Sequence, residues 1–316
     1  MSFEIFFTSK LPENRKKSLA ILKYSSNISH DSGILSTGLQ EYNGNEIFEV
    51  WNTDENVYAK EINNFYTSKS ENYLFGSTII DMNESYKNNK TKIINAYNNL
   101  FEIAKLEKME IVKIWHFIPE LLSKYNNDKT NYSLLCESRE TVYKDYFKNF
   151  NFPAATAIGI KGKKILIYFF AGKFSKYKVI ENKRQVSSYL YPQQIFKEKP
   201  MFSRAVSIDN VKSGVSKILI SGTASIKGYE SMHSLNLKEQ LNEALKNYET
   251  LISLNNNSSN ISRIYISNIN DEDKLWIQQK LEKVFGMDRF IIVYGDICRK
   301  ELIIEVEGVS DEKYKI

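Results

Sequence analysis

Apolar and polar positions along this chain switch period repeatedly, and the switches run through the same order twice. In the first passage a strand-like stretch at residues 73–80 gives way, after a polar loop, to a 3.6-residue apolar stripe at 93–106, which predicts an amphipathic helix carrying Ala96 and Asn99. Alternation of period two returns at 112–118, a second helix is predicted over 138–147, and 155–160 with 164–170 reads as a closing hairpin. The second passage repeats this with a strand at 218–224, a helix at 237–251 carrying Ala244 and Asn247, and a strand at 262–266. A helix at 271–285 follows, then a hairpin of 292–297 and 301–307. Lys161-Gly162-Lys163-Lys164 is expected to form the first hairpin's turn.

A unit of strand, helix, strand, helix, strand, strand buries one sheet face under two helices, so the fold class expected is α+β. Two such units in one chain can pack sheet against sheet as one compact body. The expected divisions are N-terminal extra strands in 1–70 (3–7 and 47–51 among them), a first unit in 71–178 and a C-terminal unit in 211–316. Between the units, residues 179–210 are polar, carry Pro192 and Pro200, and are too long for an ordinary connection. Long inserted loops of this kind usually carry function, so an active-site loop is expected there.

Of the 316 residues, 42% are hydrophobic and 13% aromatic, which is ample for large cores. Lysine and arginine exceed aspartate and glutamate by five, with no basic stripe interleaved with aromatics, so no nucleic-acid partner is expected. No window holds the roughly 20 apolar residues of a membrane span, and the first residues do not read as a signal peptide. Cys136 and Cys298 are too few for a disulfide framework, and a cytoplasmic protein is expected. His30, His116 and His233 are dispersed and no nucleotide-binding loop appears, so neither metal nor cofactor is expected.

Six stretches, in order, carry a more specific signal. They are Ile114-Trp115-His116-Phe117-Ile118-Pro119; Phe152-Pro153-Ala154-Ala155-Thr156-Ala157-Ile158-Gly159; and Glu181 to Pro192, with Arg184-Gln185-Val186-Ser187-Ser188-Tyr189 at its centre. The others are Phe202-Ser203-Arg204-Ala205; Ser221-Gly222-Thr223-Ala224-Ser225-Ile226-Lys227-Gly228 with Glu230-Ser231-Met232-His233; and Asp296-Ile297-Cys298-Arg299 with Leu302-Ile303-Ile304-Glu305-Val306-Glu307. The repeated unit resembles the YjgF/Rid-like (chorismate-mutase-like) fold, and the six stretches resemble the chorismatases over about residues 70–308. That resemblance implies a pyruvate-releasing enzyme acting on chorismate without cofactor or metal. The chain departs from the family at Ile195-Phe196-Lys197-Glu198, where Tyr-Gly-Pro-Arg is usual, and at Ser138, where a glycine is usual. Both departures fall near the expected pocket, and the divergent loop 195–199 bears on affinity and product.

Protonating an enol ether carbon calls for a carboxyl that burial keeps protonated at neutral pH. Glu305, inside an apolar strand, is the candidate; Tyr168 stands in its place in the first copy, so the repeat itself does not demand an acid. Glu307 shares its parity and is expected to be the one facing water. Cys298 is expected on the same face as Glu305, although a regular hairpin leaves roughly 13 Å between them; a small buried hydrophobe is its other reading. Arg204 suits a carboxylate. Tyr189, Gln185 and Thr223 are expected to add hydrogen bonds and Arg139 to reach a second carboxylate, with solvated surface the alternative for Arg139 and Gln185. Trp115 and His116 read as packing groups, and His233 as a cap or part of the site's lining.

By resemblance, Cys298 and Gly222 go with the subtype that makes 3-hydroxybenzoate by an intramolecular route. Hydrolysis to a dihydroxycyclohexadiene carboxylate, or formation of 4-hydroxybenzoate, are alternatives. A Rid-type imine deaminase would need an arginine on the strand 290–294, and Arg289 lies just outside it. A non-catalytic Rid-like binding module is the alternative from another class. Two fused units can stand in for associating subunits, so a monomer is expected.

Overall fold

Among the described residues, four capped α-helices and three large sheets, with one two-stranded pair beside them, account for the periodicity. The computed structural model describes all residues except 1–2, 126–127, 148, 195–196, 211–214, 253–259 and 314–316. Strands β1 (Phe3–Thr8), β2 (Ser18–Tyr24), β3 (Ile28–Asp31), β4 (Ile34–Thr37) and β5 (Ile47–Thr53) form one sheet in the order β1-β5-β2-β4-β3. Then come β6 (Tyr58–Ile62), β7 (Phe65–Lys69), β8 (Tyr73–Asp81), α1 (Tyr86–Leu106), β9 (Glu110–Pro119), α2 (Asn131–Tyr146), β10 (Ala154–Ile160) and β11 (Lys164–Gly172). Their sheet has the order β10-β9-β11-β8-β7-β6. The third sheet begins with β12 (Tyr177–Ile180), β13 (Ala205–Asn210) and β14 (Val215–Ala224), followed in the chain by the two-residue pair β15 (Ile226–Lys227) and β16 (Glu230–Ser231). After α3 (Leu237–Glu249), β17 (Asn260–Ile266), α4 (Asp271–Phe285), β18 (Phe290–Tyr294) and β19 (Ile304–Lys313), the third sheet reads β12-β13-β14-β19-β17-β18.

The duplication is thus real in three dimensions: β10-β9-β11-β8 in one unit matches β18-β17-β19-β14 in the other. Equivalence extends to single residues, since Tyr168 lies opposite Trp115 and Glu305 opposite Tyr265. Each unit is also extended in the same way, by β7 and β6 beyond β8 and by β13 and β12 beyond β14.

The expected closing hairpins do not form. β9 lies between β10 and β11, and β17 between β18 and β19, so each last strand pairs antiparallel with the central strand instead of its chain neighbour. Alternation along a strand reports which face is buried, and carries no information on which strand sits beside it. The helices begin at side-chain caps: Ser85 accepts from the Asn88 amide, Thr130 from Ser133, Asn236 from Glu239 and Asn270 from Asp273. Consequently α1 and α2 start earlier than their apolar stripes predict.

Helices α1 and α2 cover one face of the first unit's sheet, with Tyr97, Leu100, Tyr143 and Phe169 in the core between. Helices α3 and α4 cover the second unit's sheet in the same way through Leu241, Tyr248, Leu281 and Val306. The inward faces of both sheets meet each other and the N-terminal sheet in a third core containing Phe3, Trp51, Trp115, Tyr168, Leu219 and Tyr265. Glu305 and Glu307 project from this sheet-against-sheet side of β19, the setting from which the site is built.

Candidate active site

β10 of the first unit runs past the start of the second unit's sheet, and the seam is closed by hydrogen bonds. The Ala155 amide donates to Ser221 Oγ (2.8 Å), whose hydroxyl donates to the Ser203 carbonyl (2.6 Å), and the Gly222 amide donates to Thr156 Oγ1 (3.0 Å). The ladder between β14 and β19 slips between Ile220 and Thr223, a bulge that leaves Gly222 unpaired with β19 and turned toward β10. A Cβ at Gly222 would collide with Glu305 Oε1 and lie 2.6 Å from its Cδ. Glycine is required there by the carboxyl packed against it.

Along this seam runs a cavity lined by Glu305, Gly222, Arg204, Cys298, Arg139 and Thr156, with Tyr132, Tyr191, Glu198 and Arg299 completing its wall. Its free interior is narrow, about 70 Å³. A wider groove of about 340 Å³ lies elsewhere, beside Phe101, Tyr146 and Phe152; its lining holds one carboxyl, Glu110, and no guanidinium group. The narrow cavity is therefore the candidate site on chemical grounds.

Five expected residues meet here: Glu305, Cys298, Arg204, Gly222 and Arg139. Glu305 is buried; burial first, then the negative charge of Glu307, push its carboxyl up to about 8, against the pull of Lys113 and Arg204. It is a carboxylic acid at neutral pH. Cys298 is pushed up to about 12 by burial and by the neighbouring Glu305, so its sulfur is a thiol. Cys298 and Glu305 meet without a hairpin: the loop after β18 turns at Arg299, whose carbonyl accepts from the Leu302 amide, and folds back over the cavity. Both side chains line the same cavity, so no regular hairpin is needed to bring them to it.

Arg204 is buried, with Nη2 donating to the Val186 carbonyl (2.9 Å) and to Tyr191 Oη (2.8 Å), and its guanidinium lies over the Phe202 ring. Arg139 is only 2% exposed, inside α2 rather than on a solvated surface. The Nε atoms of both arginines are buried without a hydrogen-bond acceptor, so each guanidinium keeps a donor unused within the protein.

Three expected residues stand back from the cavity. Tyr189 stacks on Phe150 with ring centroids 5.3 Å apart and abuts Phe152; the tyrosine that lines the cavity is Tyr191, two residues on. Gln185 is buried and donates to the Ile226 carbonyl (3.1 Å), fixing the strand after Gly222. Thr223 donates to the Ser221 carbonyl (2.8 Å) within the bulge. His233 lies outside the cavity lining, its carbonyl accepting from Gln240 and Asn236. His116 packs as expected: Nδ1 donates to the Thr156 carbonyl (2.9 Å), Nε2 accepts from Tyr97 Oη (2.6 Å), and burial together with Arg139 pushes the ring down to about 3, leaving it neutral.

Glu307 does not face water. It is 1% exposed and receives Trp115 Nε1, Arg263 Nη1 and the Tyr265 hydroxyl, the last at 3.0 Å. Arg263 continues to Glu49, which also accepts from Tyr24 (2.6 Å) and Trp51 (2.5 Å), so a buried chain of charges crosses from the second unit to the N-terminal sheet. Lys113, which sequence reasoning missed, donates to Thr156 Oγ1 (3.0 Å) and the Ile220 carbonyl (2.6 Å) and lies 3.9 Å from Glu307. Its polar place in the apolar strand β9 was the available signal.

The divergent loop contributes Glu198, whose Oε2 accepts from Ser133 Oγ (3.3 Å); Ile195 and Phe196 lie outside the described residues. Ser138, the other departure, is buried and donates to the Leu134 carbonyl (2.7 Å). Among the described residues no three His, Cys, Asp or Glu side chains cluster as metal ligands, and no helix is long and apolar enough to cross a membrane.

Residues 49–171 match the family model for the N-terminal part of FkbO/Hyg5-like chorismatases. The chain is 28% identical over 276 residues to a 3-hydroxybenzoate synthase of Streptomyces hygroscopicus, covering 83% of this chain and 80% of that protein. It is 23% identical to a chorismatase of Streptomyces rapamycinicus, covering 83% and 81% of the two chains. Among solved structures, the crystal structure of a chorismatase superposes with a TM-score of 0.86 at 20% identity, covering 98% of both chains.

Proposed function

We propose that this chain, which belongs to the chorismatase family, takes chorismate and releases its enolpyruvyl side chain as pyruvate, leaving 3-hydroxybenzoate. The observation that carries this reading is a buried carboxyl, packed against Gly222, inside a cavity that also holds two buried guanidinium groups. Chorismate brings two carboxylates and an enol ether. Arg204 and Arg139 receive the carboxylates through the donors they leave unused. Glu305 gives its proton to the methylene carbon of the enol ether, which turns the side chain into an oxocarbenium and weakens the bond between the ether oxygen and the ring; the neighbouring ring hydroxyl displaces that oxygen, which leaves as the keto oxygen of pyruvate, and loss of protons from that hydroxyl and from the ring, one of them back to Glu305, gives the aromatic hydroxy acid.

Chorismate has the same atoms as pyruvate plus a hydroxybenzoate, so the route consumes no water and no oxidant. A neutral Cys298 thiol closes the wall beside the ring and excludes a water nucleophile, which favours the intramolecular route over hydrolysis to the diol. Gly222 supports the same reading because it leaves Glu305 its place. Gln185, Thr223 and Tyr189 hold the backbone and the aromatic flank behind that wall. Both units supply walls of one cavity, β10 from the first and β14 with β19 from the second, so a single chain suffices and we assign the working form as a monomer. Two free cysteines fit a cytoplasmic protein.

Pyruvate release, followed by coupling to lactate dehydrogenase, tests the proposal. The protein should release pyruvate from chorismate well above the spontaneous rate, and Glu305→Gln should lower kcat about a thousandfold while circular dichroism stays unchanged. An unimpaired Glu305→Gln enzyme removes the assigned acid; a wild-type rate equal to background leaves a binding module built on this fold as the better reading.

A further inference from the structure

Two carboxyl groups project from one face of β19, about 7 Å apart by strand geometry, and their surroundings are opposite in kind. Glu307 collects every strong donor in reach: Arg263, Trp115 Nε1 and the Tyr265 hydroxyl, with the Lys113 ammonium at 3.9 Å. Glu305 has none of these; the backbone of Gly222 fills the space against it. Two neighbouring buried carboxylates cannot both ionise cheaply, so the donors decide which one carries the charge and which the proton.

We propose that Glu307 is a positioning residue for the reaction: fixed as a permanent anion by Arg263, Trp115, Tyr265 and Lys113, it keeps the proton on Glu305. Lys113 is its counterweight, holding the arrangement from the other side of the seam. Thr156 ties the parts together, since its Oγ1 accepts from both Lys113 and the Gly222 amide and its side chain hydrogen-bonds Glu307. The network thereby also fixes the backbone against which Glu305 rests.

The charges facing Glu305 come from every neighbouring element. Glu307 shares its strand, Lys113 comes from β9, Arg204 from the segment before β13, Cys298 and Arg299 from the loop after β18, and Arg139 and Tyr132 from α2. Tyr265 of β17 lies opposite Glu305 in the ladder but gives its hydroxyl to Glu307. Burial opposes charge on Glu307, yet Lys113 and Arg263 beside it, with hydrogen bonds from Thr156 and Trp115, hold its carboxyl below the usual range. Burial pushes Lys113 down to about 8, against the opposing charge of Glu307.

The role as a proton keeper rests on Glu305 being the acid, and the test separates the two claims. Carbon-13 spectra of glutamate-labelled protein without substrate, assigned with Glu305→Gln, follow the Glu305 carboxyl with pH, while pyruvate release gives kcat/KM over the same range. Glu307→Gln should move the Glu305 midpoint to lower pH by about one unit or more, and Lys113→Met should move it upward by a similar amount. The alkaline limb of kcat/KM should follow both shifts. Midpoints that stay put while rates fall, or that move the same way in both variants, overturn the proposal. Should Glu307→Gln fail to fold, the upward shift in Lys113→Met decides alone, and its absence overturns the proposal. A shifting carboxyl in a protein that releases no pyruvate would instead defeat the chorismatase reading and leave the charge partition standing.

Discussion

At the scale of the residue, the central feature is a carboxyl that folding forces to keep its proton. Glu305 titrates near 8 in the folded chain against an ordinary value of 4.5, chiefly because it is buried. Between those two values the folded state binds a proton that the unfolded state has lost, so stability falls as pH rises across that window, by roughly a few kcal/mol in all. Glutamine at this position does not titrate. Glu305→Gln should therefore melt at a higher temperature than wild type at pH 8, with the difference shrinking toward pH 5. Calorimetry at the two values checks this, and an equal difference at both would mean that the carboxyl is not held protonated. The same protonation makes the group useful: an acid is competent below its midpoint, and activity should decline as pH rises through about 8.

At the scale of the element, the bulge in β14 does more for the site than any helix. It turns Gly222 out of the ladder, lets the Gly222 amide reach Thr156 and opens the space that the Glu305 carboxyl fills. Gly222→Ala should displace that carboxyl, lowering kcat/KM at least about tenfold and costing about 1–3 kcal/mol of stability by overpacking. Steady-state kinetics and urea unfolding measure the two effects, and a fully active variant would show that the close approach is dispensable. Much of this level was legible in the sequence, because period two and period 3.6 report burial and each helix is preceded by a capping residue. The hairpins were misread because adjacency in a sheet is a long-range property, and the last strand of each unit slots beside β9 or β17 instead of its chain neighbour. The expected role of Glu307 failed for a related reason. Parity put it correctly on the face of Glu305, but nothing local revealed that Arg263, Trp115 and the core shared with the N-terminal sheet cover that face.

At the scale of the whole molecule, the duplication explains why both units line one cavity. Two like units oppose their sheets, and the equivalent positions on β11 and β19 have diverged: Tyr168 stacks on Trp115 with centroids 4.7 Å apart, whereas Glu305 faces the cavity. One unit contributes packing where the other contributes an acid. Tyr132 and Lys113, outside the six stretches, and Tyr191, Arg299 and Thr156, inside them but without a role, lie on segments brought together only when the units pack. The Glu49–Arg263–Glu307 chain joins the N-terminal sheet to the strand that bears Glu305. The most direct test of the whole account is mass spectrometry of the products formed from chorismate in oxygen-18 water. The account predicts pyruvate and 3-hydroxybenzoate whose ring hydroxyl carries no label from solvent. A diol, labelled or not, or no aromatic product above the spontaneous background, would contradict it.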